Sequence, residues 1–329
     1  MSYYENMSNL LVTGGCGFIG SNFVRHAVRQ NDQVTIVDDL SNGHKEFLTE
    51  ILKDVEFLND DFASPRVLSV INDRRFDAVI HFAAIPRVSY SVEHPIVTND
   101  NNVTKTLKLI DACRLSGNTE KFVFASSSSV YGGASELPTK EISSKNPKSP
   151  YALQKSIIED YLQLYDRLYA FDSVCLRFFN VFGPNCLGTS PYSTAVSAWL
   201  TAIKQNRPMR FDGDGTQTRD MCYVDNVVDA VYRAATHDGA LGSERYNVAC
   251  GQSISNMEIA RILMQRYPDA CLKFAPWRAG DVMHTLADIS KIKCALRYTP
   301  IVTVKEGIKR TCDWFDANWD MIKSLSQNV

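Results

Sequence analysis

An α/β fold built on a doubly wound parallel sheet is predicted by three observations. Short, nearly continuous apolar runs alternate with amphipathic stretches through the first half of the chain. The first run leads directly into a glycine-rich turn and a helical pattern. After about residue 179 the pattern loosens into shorter, turn-rich elements. The runs are NLLVT, QVTIVD, VEFL, DAVIHFA, KFVFAS and DSVCLRFF. Strands of this kind are apolar on both faces, as a parallel sheet covered by helices on both sides requires. Helices between them supply the crossovers that parallel strands need. The stretch FNVFGPNCLGTSPYS is rich in Gly, Pro, Ser and Asn; a helix over about 192–205 follows, then the turn-rich FDGDGTQTRD. The expected division is a Rossmann-type domain over 1–179 and a smaller C-terminal α/β substrate domain over 180–329, with some later segments returning to the first sheet.

A chain of 329 residues has ample length for such a core. Its 45% hydrophobic and 22% charged content is ordinary for a soluble protein, and a net charge of −2 gives no pull toward nucleic acid or anionic membrane. No apolar run approaches the roughly 18 residues that span a bilayer. The opening MSYYENMSNLLVTGG has neither a basic nor a long apolar region, so no signal peptide and a cytoplasmic location are expected. The 9 cysteines include no Cys-x-x-Cys pair, and Cys175 and Cys250 lie in apolar runs; they read as reduced and buried. No His/Cys/Asp cluster has zinc-like spacing, and DGDGTQTRD lacks the calcium-loop ligand set, so no metal is expected.

NLLVT is followed by Gly14-Gly15-Cys16-Gly17-Phe18-Ile19-Gly20 and then by the helical SNFVRHAVRQ. Gly15, Gly17 and Gly20 fit Gly-x-Gly-x-x-Gly; Gly14, Gly17 and Gly20 fit Gly-x-x-Gly-x-x-Gly. Either spacing lets backbone approach a pyrophosphate held at a helix N-terminus. The next strand ends at Asp38, whose carboxylate suits adenosine ribose hydroxyls and repels a 2′-phosphate, which favours NAD over NADP. Asp61, after VEFLND, is a candidate contact to adenine.

In SPYALQKSIIEDYLQLY, Tyr151 and Lys155 stand four apart and share one helix face. An ammonium beside a phenol favours phenolate, which makes Tyr151 a candidate general base. His81, at a strand end, reads as a structural histidine.

TGGCGFIG, VDDLSNG, HFAA, ASSSSVYG, YALQK and RFFNVFGP together resemble the extended short-chain dehydrogenase/reductases, in particular the NAD-dependent nucleotide-sugar epimerases that act on UDP-glucose or UDP-N-acetylglucosamine. The resemblance continues through GDGTQTRDMCYVDNVVDA, YNVACGQSIS and WRAGDVMHTLADISK. It implies NAD contacts from Gly14, Gly17, Phe18, Ile19, Gly20, Asp38, Asp39, Asn42, Gly43, Asp61, Phe62, Ala83, Ala84, Asn102, Ser126, Tyr151 and Lys155, with Ser126 near the nicotinamide. It makes Ser127 the hydroxyl that orients the sugar oxygen toward Tyr151. Related dehydratases carry Asp-Glu where this chain has Ser128-Ser129, and related decarboxylases carry a Glu at the second position; hydroxyls offer no acid/base pair there. A tyrosine base, a hydride acceptor and no further acid/base pair suit 4-epimerisation through a 4-keto sugar.

The resemblance also implies a UDP-sugar site. Asn180, Arg219 and Arg278 would contact the diphosphate, to which guanidinium forks are suited. Asp281 would bind the uridine ribose, and Thr194, Ala195, Trp199 and Asp212 would shape the uracil pocket. Thr285 would lie beside carbon 2 of the sugar, and its small size favours UDP-N-acetylglucosamine and UDP-N-acetylgalactosamine, with UDP-glucose and UDP-galactose also open. Three departures stand out: Met283 where relatives often carry Arg, Lys105 where Gly is usual, and IPRVSYS after the His-x-Ala-Ala motif. Arg87 in that segment could attract a carboxylated sugar, so a UDP-glucuronate 4-epimerase is the alternative, beside a decarboxylase, dehydratase or reductase. A non-catalytic NAD-binding regulator is disfavoured because Tyr151 and Lys155 are both retained. A homodimer through a four-helix bundle is implied, with helices over about 100–116 and 151–168.

Overall fold

A computed structural model describes residues 7–133, 136–188, 194–277 and 282–326. In chain order the elements begin β1 (Asn9–Thr13), α1 (Phe18–Arg29), β2 (Gln33–Val37), β3 (Glu56–Leu58), α2 (Pro65–Asp73), β4 (Ala78–His81), α3 (Val88–Glu93) and α4 (Pro95–Asn99). A π-helical turn over Asp100–Lys105 runs into α5 (Thr106–Ser116), followed by β5 (Phe122–Ser127), α6 (Pro150–Tyr169), β6 (Ser173–Phe178) and β7 (Val181–Phe182). Then come α7 (Ala195–Lys204), β8 (Met209–Asp212), β9 (Thr218–Asp220), β10 (Cys222–Tyr223), α8 (Val224–Ala235) and β11 (Glu244–Val248). The chain ends in β12 (Ser253–Ser255), α9 (Asn256–Arg266), β13 (Leu272–Ala275), α10 (Ser290–Leu296), α11 (Val304–Ala317) and α12 (Trp319–Ser326).

Seven strands form the main sheet in the order β11-β6-β5-β4-β1-β2-β3. β1 pairs in parallel with β2 on one side, Leu11 opposite Thr35, and with β4 on the other, Leu11 opposite Val79. The strand order therefore reverses beside β1, the place where open α/β sheets bind ligands outside their carboxyl ends. The sheet is apolar on both faces, as the sequence demanded. Leu10, Leu11 and Val12 are all fully buried. Leu11, Val79, Phe122 and Phe124 pack with Val67 and Ile71 of α2, Leu109 and Ile110 of α5, and Ile158 and Leu162 of α6. Each such side chain contributes roughly 1.5–3 kcal/mol by leaving water.

The chain separates into two compact units, neither of them continuous. The first takes the chain up to Ser127, Ser149–Arg177 and Val228–Tyr246; the second takes Ser128–Lys148, Phe178–Val227 and the chain from Asn247 on. The expected division at 179/180 falls beside the Arg177/Phe178 crossing. Ser128–Lys148 lies in the second unit despite its place in the first half of the sequence, and Val228–Tyr246 returns to the first. Among the described residues there are also three two-stranded sheets: β10 with β7, β12 with β9, and β13 with β8.

Candidate functional site

In the first unit the β1–α1 turn is a cradle made of backbone. Gly14 has φ +70°, and a β-carbon there would lie 2.7 Å from the Ala83 nitrogen. A β-carbon on Gly20 would stand 2.1 Å from the Gly14 carbonyl oxygen. Only bare backbone allows turn, helix and the segment after β4 to approach this closely. Gly17 begins α1 with no side-chain cap, and the first turn, Phe18-Ile19-Gly20, holds no acid. Such an end favours an anionic ligand.

Asp38 follows β2 and is 8% exposed. Its Oδ2 accepts from the Cys16 amide and its Oδ1 from the Leu40 amide, both at 2.9 Å. Burial raises its pKa against these two bonds. Further donors, such as ribose hydroxyls, would favour its ionised form. Gly43 abuts the Asp38 carboxylate. Asp39 and Asn42 are exposed, and Asp39 Oδ1 accepts from both the amide and hydroxyl of Ser41. Asp61 Oδ1 accepts from the Ala63 amide, and its Oδ2 lies 2.5 Å from Lys105 Nζ. The lysine that departs from the resemblance is thus bound to the acid expected at adenine, and this hydrogen bond raises its pKa. Phe62 is buried, edge-on to His81 at 4.9 Å. Ala83 and Ala84 follow β4, and the Ala83 amide donates to Thr13 O at 3.2 Å.

Asn102 sits on the π-helical turn, 3% exposed. Its amide clamps the Ile85 backbone, donating to the carbonyl at 3.0 Å and accepting from the nitrogen at 2.8 Å, and also donates to Gln154 of α6. The residue expected at the cofactor therefore fixes the segment that carries Ala83, Ala84 and Arg87. Arg87 is half-buried, with Nε donating to Ser89 Oγ at 3.2 Å.

Ser127 is the last residue of β5, and Tyr151 and Lys155 occupy the first two turns of α6. Ser149 caps this helix by accepting from the Ala152 amide, and Pro150 takes its first position. Tyr151 is 9% exposed, and its amide donates to Ser91 Oγ. Lys155 is 4% exposed; Nζ donates to Ala125 O at 2.8 Å and lies 5.9 Å from the centre of the Tyr151 ring. Burial brings the Lys155 pKa down to about 7, against the upward pull of Cys175 and Glu159. Ser126 points elsewhere: its buried hydroxyl donates to Glu159 Oε1 at 2.6 Å.

The second unit holds a cavity of about 870 Å³. One face of α7, namely Ala195, Ala198, Trp199 and Ala202, forms a wall with Thr194 at its head. Arg210 and Asp212 of β8, Lys273 and Ala275 of β13, Asn180, Gln217, Arg219 and Asn256 also line it, with Arg207, Pro208 and Met221. Trp199 stacks on Phe211 with ring centres 5.0 Å apart, and its indole N–H donates to Arg210 O. It is therefore core and cavity wall at once. Asp212 accepts from Arg210 Nε at 2.9 Å. Arg219 Nη1 donates to the carbonyls of Thr218 and Met283. Asn180 Nδ2 donates to Thr285 Oγ1 at 3.1 Å and to Asp220 O, so Thr285 braces Asn180 rather than standing alone. Arg278 and Asp281 lie outside the described residues.

Glu159 and Asp220 are buried carboxylates that the sequence pattern did not mark. Glu159 is fully buried, bound to Arg177. Asp220 is buried in the second unit and accepts from the amides of Cys250, Gly251 and Ala287. Burial pushes its pKa up to about 6 despite these bonds. Neither spacing nor composition marks either residue: the partners of Glu159 are 18 and 33 positions away. Among the described residues no group of three or more His, Cys, Asp or Glu is placed to hold a metal, and no helix is long and apolar enough to cross a membrane.

A doubly wound sheet with this cradle at its switch point defines a dinucleotide-binding protein. Residues 10–249 match the NAD dependent epimerase/dehydratase family, and the chain belongs to it, with NAD as its cofactor. The chain is similar to a putative UDP-glucose 4-epimerase of Methanocaldococcus jannaschii, 35% identical over 314 residues, 94% of this chain and 99% of the relative. It is similar to a UDP-glucuronate 4-epimerase of Thermodesulfobacterium geofontis, 32% identical over 335 residues and 99% of each chain. Among solved structures, a UDP-N-acetylglucosamine 4-epimerase from Methanobrevibacter ruminantium, in complex with UDP-N-acetylmuramic acid, matches with a TM-score of 0.89 at 35% identity, over 95% of this chain and 99% of that one.

Proposed function

We propose that this protein is a UDP-sugar 4-epimerase that interconverts UDP-N-acetylglucosamine and UDP-N-acetylgalactosamine, and UDP-glucose and UDP-galactose in addition. One observation carries the reading: a buried lysine one turn from a tyrosine on α6 and bonded to the Ala125 carbonyl, two residues before the serine that closes β5, with only hydroxyls at positions 128 and 129. Tyr151 removes the proton of the 4-hydroxyl and returns it after the keto sugar has turned over. Ser127 holds the same oxygen. Lys155, when an ammonium, lowers the tyrosine pKa toward neutrality. Bound NAD supplies the reversible hydride acceptor for carbon 4. Gly14, Gly17 and Gly20 would admit its pyrophosphate, with Phe18 and Ile19 at the helix end. Asp38 would take its ribose, and Asp61 with Lys105 would face its adenine. The cavity of the second unit would take the uridine diphosphate, with Trp199, Asp212 and Arg219 in its wall. The amino-sugar preference rests on Thr285.

A second reading, UDP-glucuronate 4-epimerisation, is favoured by Arg87, a cation for which the structure gives a hydroxyl partner, Ser89. Elimination of water, the other chemistry in the family description, lacks its acid/base pair at Ser128-Ser129. Proton NMR of the purified protein with UDP-N-acetylglucosamine, UDP-glucose or UDP-glucuronate and no added cofactor tests the proposal. A galacto-configured anomeric signal is expected in the first two tubes. A signal with UDP-glucuronate alone would transfer the reading to Arg87, and none in any tube after NAD addition would end it.

A cytoplasmic homodimer through α5 and α6 belongs to the same proposal. Leu153, Leu164, Leu168 and Tyr169 of α6 and Leu115 of α5 are 42–65% exposed, an apolar surface suited to a partner helix pair. Light scattering should give twice the 36.9 kDa chain mass.

A further inference from the structure

Behind the catalytic candidates lies a polar cluster with no part in the proton transfer just described. Glu159 is one helical turn past Lys155, so the two side chains leave the same face of α6, with β-carbons about 5–6 Å apart. Its carboxylate is fully buried and receives Arg177 Nε at 2.8 Å and Nη2 at 2.6 Å from β6. Arg177 itself is 1% exposed. Arg245 of β11 approaches from the other side, Nε to Oε2 at 3.5 Å. The third contact is the Ser126 hydroxyl at 2.6 Å.

Ser126 precedes Ser127, and Ala125 accepts the Lys155 ammonium. Two hydrogen bonds therefore tie the end of β5 to α6: Lys155 to Ala125, and Ser126 to Glu159. Stability alone does not explain an ion pair here. Desolvating two charges offsets most of their attraction, and apolar residues of equal volume commonly serve as well. What an apolar pair could not provide is a fixed negative charge beside Lys155. The groups facing that ammonium are Tyr151 and Glu159 from its own helix, Cys175 and, through Glu159, Arg177 from β6, and the neutral His81 from β4, with the Phe124 ring 4.6 Å away. Cys175 and Glu159 are the neighbours that favour the ammonium, and of the two Glu159 is the carboxylate.

We propose that Glu159 is a positioning residue of this centre: through Ser126 it fixes the end of β5 that presents Ser127, and through its charge it keeps Lys155 an ammonium so that Tyr151 ionises near neutrality. The inference rests on the reading of Tyr151 as base. Burial acts the other way on Lys155, toward a pKa of about 7, so a small change in local charge changes its protonation across the working range.

The test titrates Lys155 directly, by NMR of protein carrying 15N at lysine Nζ with the signal assigned through Lys155→Met, alongside kcat against pH. In Glu159→Gln the Lys155 midpoint should fall by about one pH unit and the acid limb of kcat should rise by about one, with bound NAD unchanged. Ser126→Ala should leave the Lys155 midpoint in place and lower kcat several-fold at constant KM. Glu159→Gln strands the Arg177 charge and is liable to unfold; Glu159→Gln/Arg177→Met also removes the guanidinium, which opposes the ammonium, so its midpoint should fall by less than that of the single variant. A folded Glu159→Gln protein with the wild-type midpoint and limb, a double variant whose midpoint rises, or a Ser126→Ala enzyme with wild-type kcat would overturn the proposal. Turnover by Tyr151→Phe would instead defeat the base reading and leave the NMR midpoint as a separate result.

Discussion

The two units build their candidate binding surfaces from different materials. The cradle of the first is backbone: bare glycines, an uncapped helix end and one strand-end carboxylate, almost all within a short stretch of chain. The cavity of the second is side chain, gathered from α7, β8, β13 and α9 across residues 180–275. The first is therefore intolerant of a single carbon atom, whereas the second should be tuned by one side chain at a time. The largest expected effect attacks the cradle. Gly20 lies inside α1, where alanine would ordinarily stabilise a helix by about 1 kcal/mol. Here its β-carbon would meet the Gly14 carbonyl oxygen at 2.1 Å. Gly20→Ala should purify without NAD and without activity. Nucleotide released by acid precipitation measures the first, and retention of stoichiometric NAD would show that the cradle yields more readily than its geometry implies.

Tyr151→Phe separates the cradle from the chemistry. It should keep NAD and lose turnover by about 10²–10⁴-fold, the range of general acid–base catalysis. The complementary variant in the second unit is Trp199→Ala. It removes a ring stacked on Phe211 and an indole N–H bonded to Arg210 O. A stability loss of about 3–5 kcal/mol is expected, as for other buried aromatic truncations. UDP affinity by calorimetry should fall about tenfold, or about 1.4 kcal/mol, with bound NAD unchanged. Loss of NAD in Trp199→Ala would contradict the assignment of separate ligands to the two units.

This difference in material also decides what the sequence made legible. Six apolar runs became β1 to β6, and the glycine turn stood where strand and helix patterns met, because backbone constraints leave local signatures. Tyr151 and Lys155 were legible because helical periodicity alone puts them on one face. Glu159 obeys the same periodicity, yet nothing in the sequence tells a buried carboxylate from the exposed acid Asp160 beside it. Its burial depends on Arg177 arriving from β6. Ser126 and Ser127 illustrate the limit from the other side: adjacent hydroxyls in a strand project to opposite faces, and only the fold shows that Ser126 meets Glu159. That some later segments return to the first sheet was expected, but that Val228–Tyr246 is such a segment was hidden for the same reason, since strand pairing is a long-range choice.

The smallest expected effects are also the sharpest comparison, because a buried titratable group in each unit should respond to acid with opposite sign. His81 lies between Thr13 Oγ1 and Thr106 Oγ1, and burial lowers its pKa from 6.5 to about 3. Its folded-state pKa is depressed, so below pH 6.5 the unfolded chain binds a proton that the native state refuses. Stability is lost as pH falls from 6.5 toward 3, by about 1.4 kcal/mol per unit. For Asp220 burial raises the pKa from 3.8 to about 6. Between those values the native state holds a proton that the unfolded chain has released, so its contribution is complete below 3.8 and is lost as pH rises through 6. His81→Asn and Asp220→Asn each remove one titration. Both variants should be less stable than the parent, but the stability gap for His81→Asn should narrow from pH 7 to pH 4.5, and that for Asp220→Asn should narrow from pH 4.5 to pH 7. Denaturant titrations at the two pH values measure both gaps. Gaps that narrow in the same direction would mean that one of the two groups is not held in the protonation state its surroundings impose.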